Sequence, residues 1–277
     1  MKTYTISDGA CTRAEILPEK GGTLTRIIHN GVDFLYVDEE NLASAERPRC
    51  GVPFLFPIFG RLNDWKYTWD GQEYSMAIHG FGHTSPWQVA EHAKNKLTLV
   101  LEANEETLSQ YPFRFRVSLP FLAENGAVSI MQKYENLDTK PMPYNFGFHP
   151  YFRVEDLSHI QIEANADVHV DFMAGKHNPL GHGFVGVKLP EGAPETGAAL
   201  LGTTSPTVLH IPEEGKQLTM EFSADYPQHI LWNQGGKPFL CVEPINGTAD
   251  GLNKGVYLTL NPGETKEAFV RFIPKCI

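Results

Sequence analysis

Phe113-Arg114-Phe115-Arg116-Val117-Ser118-Leu119 sets an apolar side chain at every second position and a polar one between. A period of two gathers the apolar set on one face only in an extended chain, whose successive side chains point to opposite sides. The stretch therefore reads as a half-buried strand. Upstream, Leu97, Leu99 and Leu101 repeat the pattern. Downstream come Val128–Met131, Leu218–Phe222, His229–Trp232, Val256–Leu260 and Ala268–Phe272, all strand-like. Asp70-Gly71 and Asn125-Gly126 fall between such runs and mark tight hairpins, because these residues tolerate the positive φ values such turns require. No window keeps a helical period over three turns, and 25 Gly and 20 Pro cut short any helix that starts. The expected fold is all-β, a large antiparallel β-sandwich, with residues 1–277 forming one domain. The Gly-, Pro-, Ala- and Thr-rich segment Leu189–Pro206 is expected to be a long surface loop.

With 23 Lys and Arg against 33 Asp and Glu, the formal charge is −10. Nucleic acid and anionic membrane surfaces are held by clustered cations, and no such cluster occurs, so neither is an expected partner. The most apolar stretch, Val52–Phe59, contains Pro53 and Pro57, and no signal peptide or membrane span is expected. Cys11, Cys50, Cys241 and Cys276 have no metal-ligand or redox spacing, which predicts a reduced, cytoplasmic protein. Cys241, inside Phe239-Leu240-Cys241-Val242, reads as a small buried hydrophobe.

Four clusters combine polar side chains with a backbone constrained by Gly and Pro. They are Gly60-Arg61-Leu62-Asn63, His79-Gly80-Phe81-Gly82-His83, Asn145–Phe152 and Glu243-Pro244-Ile245-Asn246-Gly247. Aromatic rings beside hydrogen-bonding groups suit sugars, whose C–H faces stack while their hydroxyls need directed partners. Glu243 follows an apolar run and is expected at the end of a buried strand, where desolvation raises a carboxyl pKa and suits a general base. The same residue also fits a carboxylate satisfied by backbone donors at a Glu-Pro turn. His149 between Phe148 and Pro150 fits either a hydrogen-bonded core residue or an acid, depending on its partners. His79 and His83 are four apart, but Gly80 and Gly82 oppose the helix that would align them, and no metal site is expected. No phosphate-cradling glycine motif is present, and nucleotide chemistry is not indicated.

In this order and at these separations, the clusters resemble the aldose 1-epimerase family, the galactose mutarotases and their relatives. The resemblance is carried by Phe56-Pro57 through Gly60-Arg61-Leu62, the Tyr67–Tyr74 hairpin, His79-Gly80-Phe81 with Trp87, Asn145–Phe152, Phe239–Pro244 and Leu260–Thr265. It implies a β-supersandwich with an open, cofactor-free sugar cleft and a hexose as partner. It implies Glu243 as general base, His149 as general acid, and Arg61 and His79 as residues holding the sugar. The family's sugar-binding aspartate has no matching local motif; Asp167, Asp171 and Asp225 are candidates.

Such a pair would interconvert α and β anomers by opening and closing the hemiacetal ring. Arg47, Arg49 and Arg61 raise a second possibility, a hexose 6-phosphate substrate, because guanidinium groups hold phosphate bidentately. Against this, Arg47 and Arg49 flank Pro48 in what reads as an exposed loop. A third reading is a non-catalytic carbohydrate-binding protein. A glycosidase needs two spaced carboxyl groups, of which only Glu243 can be named.

Overall fold

A computed structural model of the chain describes residues 1–186 and 193–277. The deciding alternation lies on the strand Phe115–Glu124, where Phe115, Val117, Leu119, Phe121 and Ala123 are buried and the residues between are partly exposed. Phe113 precedes the strand but is buried as well. The strand is antiparallel to Lys96–Glu102, pairing Val117 with Leu101, Leu119 with Leu99 and Phe121 with Leu97. Cross-strand apolar pairs of this kind fix the register, since a slip of one residue would turn the whole set to water. Its other neighbour is Ala127–Asn136, reached through Asn125 (φ 49°) and Gly126 (φ 78°). The second expected hairpin joins Lys66–Trp69 to Gln72–Ser75 through Asp70 (φ 49°) and Gly71 (φ 75°).

Among the described residues, one sheet of fifteen strands forms the body of the molecule. It runs from Phe54–Leu55 through Gly147–Phe148, Phe239–Ile245, Gln228–Gln234, Glu195–Leu201 and Gln161–Asp171 to Thr204–Ile211. From there it continues through Lys216–Phe222, Thr265–Cys276, Ala127–Asn136, Phe115–Glu124 and Lys96–Glu102 to Gln88–His92, with Tyr151–Arg153 and Lys176–Val185 pairing off this path. Its pairings are antiparallel. A four-stranded sheet, Tyr4–Ser7, Thr12–Leu17, Thr23–His29 and Val32–Asp33, packs on it. Ile6, Ala14, Ile16 and Ile27 join Leu97, Leu99, Val117 and Val128 in one core. Each of the Ile, Leu and Val side chains contributes roughly 1.5–3 kcal/mol on full burial.

The α-helices are short, Glu39–Ala43, Glu105–Gln110 and Gly251–Lys254, as the missing helical period predicts. None is long and apolar enough to cross a membrane. Two expectations are corrected. Of the proposed loop Leu189–Pro206, residues 189–192 lie outside the described residues, but Glu195–Leu201 is a strand between Gln228–Gln234 and Gln161–Asp171. Its small residues Gly197, Ala198 and Ala199 suit close packing between neighbours, and small-residue composition was mistaken for loop composition. The strand expected at Val256–Leu260 begins only at Leu258, because Val256 N–H donates to Gly251 O and closes the preceding helix.

Candidate active site

Strand pairing builds the site. Gly147 lies opposite Ile245 and Tyr151 opposite Cys241, in one continuous register that sets His149 across from Glu243. The neighbouring strand places Trp232 beside Cys241 and Ile230 beside Glu243. Phe148, buried against Phe54 with ring centroids 5.4 Å apart, and the bond from His149 N–H to Pro53 O (3.0 Å) fix the backbone at His149. Glu243 is not at a strand end: Phe239–Ile245 continues past it, and Pro244 pairs with His229, so the turn that would supply backbone donors does not exist.

His149 Nε2 lies 3.4 Å from Glu243 Oε1, with side chains only 12% and 4% exposed. The imidazole stacks on Tyr151, centroids 4.6 Å apart and 12° from parallel, and meets the edges of Trp232 (5.9 Å) and His79 (5.6 Å). His79 has φ 65°, and its N–H donates to Gly60 O (2.8 Å). In return Gly60 N–H donates to His79 Nδ1 (3.1 Å), so the neutral ring carries its proton on Nε2. Gly80 makes this turn possible: at φ +71° a Cβ would lie 2.3 Å from Phe56 O. His83, buried, meets His79 edge-on at 6.1 Å.

Burial dominates the electrostatics. It pushes the Glu243 carboxyl well above the usual carboxylate range, while the positive charge of Arg47 pulls it back down. Burial lowers His149 and His83 to about 3, with Arg47 adding to the effect, and holds His79 well below the ordinary imidazole value. Burial thus favours a carboxylic acid beside a neutral imidazole. Moving one proton from Glu243 to His149 turns this into a carboxylate and an imidazolium.

Arg47 is half-buried, whereas Arg49 on the same loop is exposed as expected. Its segment is held from below by the buried Lys20, whose Nζ donates to Ser44 O and Glu46 O (2.6 Å each). Beside Tyr151 and Trp232 opens a cavity of about 380 Å³, also lined by Tyr36, Asp38, Arg49 and Lys237. That volume suits one small ligand.

The sequence of residues 2–272 matches the family profile described as aldose 1-epimerase. The chain belongs to the aldose 1-epimerase family. Among solved structures, Slr1438 of Synechocystis superposes on this family member with a TM-score of 0.90 at 29% identity, covering 100% of this chain and 96% of that one. A galactose mutarotase-like protein from Lactobacillus casei gives 0.84 at 21% identity over 99% and 100% of the two chains, a likeness of fold. The chromosomal LacX protein of Lactococcus lactis is 25% identical over 283 residues, 89% of each chain. Aldose epimerases act on sugars, and the supersandwich fold expected from the resemblance is the one found.

Of the sequence candidates, the fold brings together Glu243, His149 and His79. Arg61 is exposed with its guanidinium 5.3 Å from the Trp65 ring, although its neighbour Gly60 binds His79. Asp171 accepts from Met173 and Ala174 N–H at its own hairpin, Asp225 is paired with Lys266 at 2.6 Å, and Asp167 lies beside Gly202. Asp38, which accepts from Tyr36 OH at 3.3 Å, borders the cavity together with Glu40 and Glu46. Sequence reading places Tyr151 in a candidate cluster without a role, reads Cys241 as a small buried hydrophobe, and takes Trp232 only as part of a strand. Cys241 stands two residues before Glu243 and therefore on the same strand face, a signal that was available.

Proposed function

We propose that this aldose 1-epimerase family member is a mutarotase, an isomerase that interconverts the α and β anomers of a hexose. The observation that carries the reading is the pairing of His149 with Glu243, a buried acid and base separated by 3.4 Å. Glu243 takes the proton from the anomeric O1, and His149 protonates the ring oxygen as the C1–O5 bond breaks. Rotation about C1–C2 presents the other face of the new carbonyl. The ring oxygen then attacks C1, giving its proton back to His149 while O1 recovers one from Glu243. One proton is taken and one given at every step, so the pair ends as it began. Arg47 favours the carboxylate form of Glu243. His79, with Nε2–H available, and Arg61 hold the sugar's oxygens, and Tyr151 and Trp232 supply the apolar wall. All four cysteines are free, which supports a reducing compartment such as the cytoplasm.

A second reading, a hexose 6-phosphate substrate, is favoured by Arg49 and Lys237 at the cavity. Polarimetry of freshly dissolved α-D-galactose, α-D-glucose and α-D-glucose 6-phosphate, with wild type beside Glu243→Gln, tests both. Acceleration of the free hexoses that vanishes in the variant is expected. Acceleration of the 6-phosphate alone selects the second reading. Binding of sugar with no acceleration of any substrate overturns catalysis and leaves a carbohydrate-binding protein.

A further inference from the structure

We infer that His149, Cys241 and Glu243 form a binding site for one borderline or soft divalent cation, of the Zn²⁺ or Cd²⁺ class, which competes with the sugar. One ligand atom from each of these residues lies within 4.8 Å of the others. Cys241 and Glu243 project from the same face of Phe239–Ile245, and the register of Tyr151 with Cys241 brings His149 up opposite them. Tetrahedral Zn²⁺ with bonds of about 2.0–2.3 Å needs donors roughly 3.3–3.8 Å apart, so the three must close by only about 1 Å. Cys241 and Glu243 are buried and His149 is 12% exposed; with Nε2 on the ion, the ring's proton would sit on Nδ1, which has no partner among the described residues.

The donor set selects the ion. A thiolate and an imidazole favour Zn²⁺ or Cd²⁺ over Mg²⁺ or Ca²⁺. Charge selects it too. A thiolate and a carboxylate together carry −2, so a divalent cation balances the charge of its own ligands. On binding, the Cys241 Sγ–H bond breaks, its electron pair forms the Sγ–metal bond, and the proton passes to solvent. Any proton on Glu243 leaves likewise, so binding tightens as pH rises. The ion occupies the atoms that would handle the sugar's O1 and ring oxygen. Competition therefore rests on the epimerase reading, whereas binding does not.

The test is titration of the full chain with Cd²⁺, following the ultraviolet sulfur-to-cadmium charge-transfer band, in a Cys11→Ser, Cys276→Ser background that removes the two more accessible thiols. Expected is a band saturating at one equivalent, lost in both Cys241→Ala and Cys241→Ser, with affinity about tenfold or more weaker in Glu243→Gln. A missing band, or one undiminished by both Cys241 substitutions, overturns the site. If the protein accelerates mutarotation, Cd²⁺ should slow it in step with the band, and saturation without slowing overturns the competition. If it accelerates no sugar, the epimerase reading fails while the band still decides the site.

Discussion

His149 and Glu243 face each other at 3.4 Å because two strand pairings, Gly147 with Ile245 and Tyr151 with Cys241, share one register. Glu243 lies within a strand and His149 between two short strands paired to it, so the pair is set before any ligand arrives. Preorganisation of this kind is what acid and base catalysis requires of a site.

Replacing Glu243 by Gln keeps the shape and removes the base. Mutarotation should fall by about 10²–10⁴-fold, the usual worth of a positioned acid or base. Folding should survive, because a neutral amide suits the buried position at least as well as an ionisable carboxyl. Polarimetry beside a thermal melt checks both, and retention of full activity would remove Glu243 from the mechanism.

Arg47 lowers the Glu243 carboxyl from the high value that burial imposes. Arg47→Met takes that charge away, so Glu243 should hold its proton to higher pH. The acid limb of kcat/KM should therefore move upward in pH, while Arg47→Lys moves it less. An unmoved limb would show that Arg47 does not act on the base.

Acid should destabilise the fold through its buried histidines. His83, His149 and His229 are lowered to about 3, and His79 well below its ordinary value, by burial. The unfolded chain protonates these rings below about pH 6.5 whereas the folded chain does not. Their stabilising contribution is thus complete above that pH and is lost as pH falls toward about 3, by roughly 1.4 kcal/mol per pH unit for each ring. Glu243 acts in the opposite sense: its raised pKa contributes stability below about pH 4.5 that is lost as pH rises through the folded value. Urea midpoints measured from pH 7.5 down to 4.5 should decline, and a level curve would contradict the burial of these rings.

Gly80→Ala should cost roughly 2 kcal/mol or more, since its φ is +71° and the new Cβ would meet Phe56 O at 2.3 Å. That carbonyl accepts from both Phe81 and Gly82 N–H at 2.9 Å, so shifting it disturbs the loop carrying His79. Gly71→Ala is the control: its φ is +75° but nothing lies within 4 Å of the added methyl. Thermal melts should show the larger loss at position 80.

The sequence by itself determined the strand-rich fold, its two Asx-Gly hairpins and three of the residues that meet in the site. Period-two burial and positive-φ turns are local properties, set by how a side chain leaves its own backbone. It also showed what surrounds Glu243, an apolar run that would raise its pKa. Tertiary structure alone decided the rest. That Glu195–Leu201 is a central strand depends on neighbours more than twenty residues away, which small residues admit but do not announce. That Arg47 offsets part of the effect of burial on Glu243, nearly two hundred residues on, depends on a loop pinned by Lys20. And Cys241 joins His149 because a register, not a spacing, brings them together. Sequence patterns record what a residue does to its own segment; distances between segments exist only once the sheet has closed.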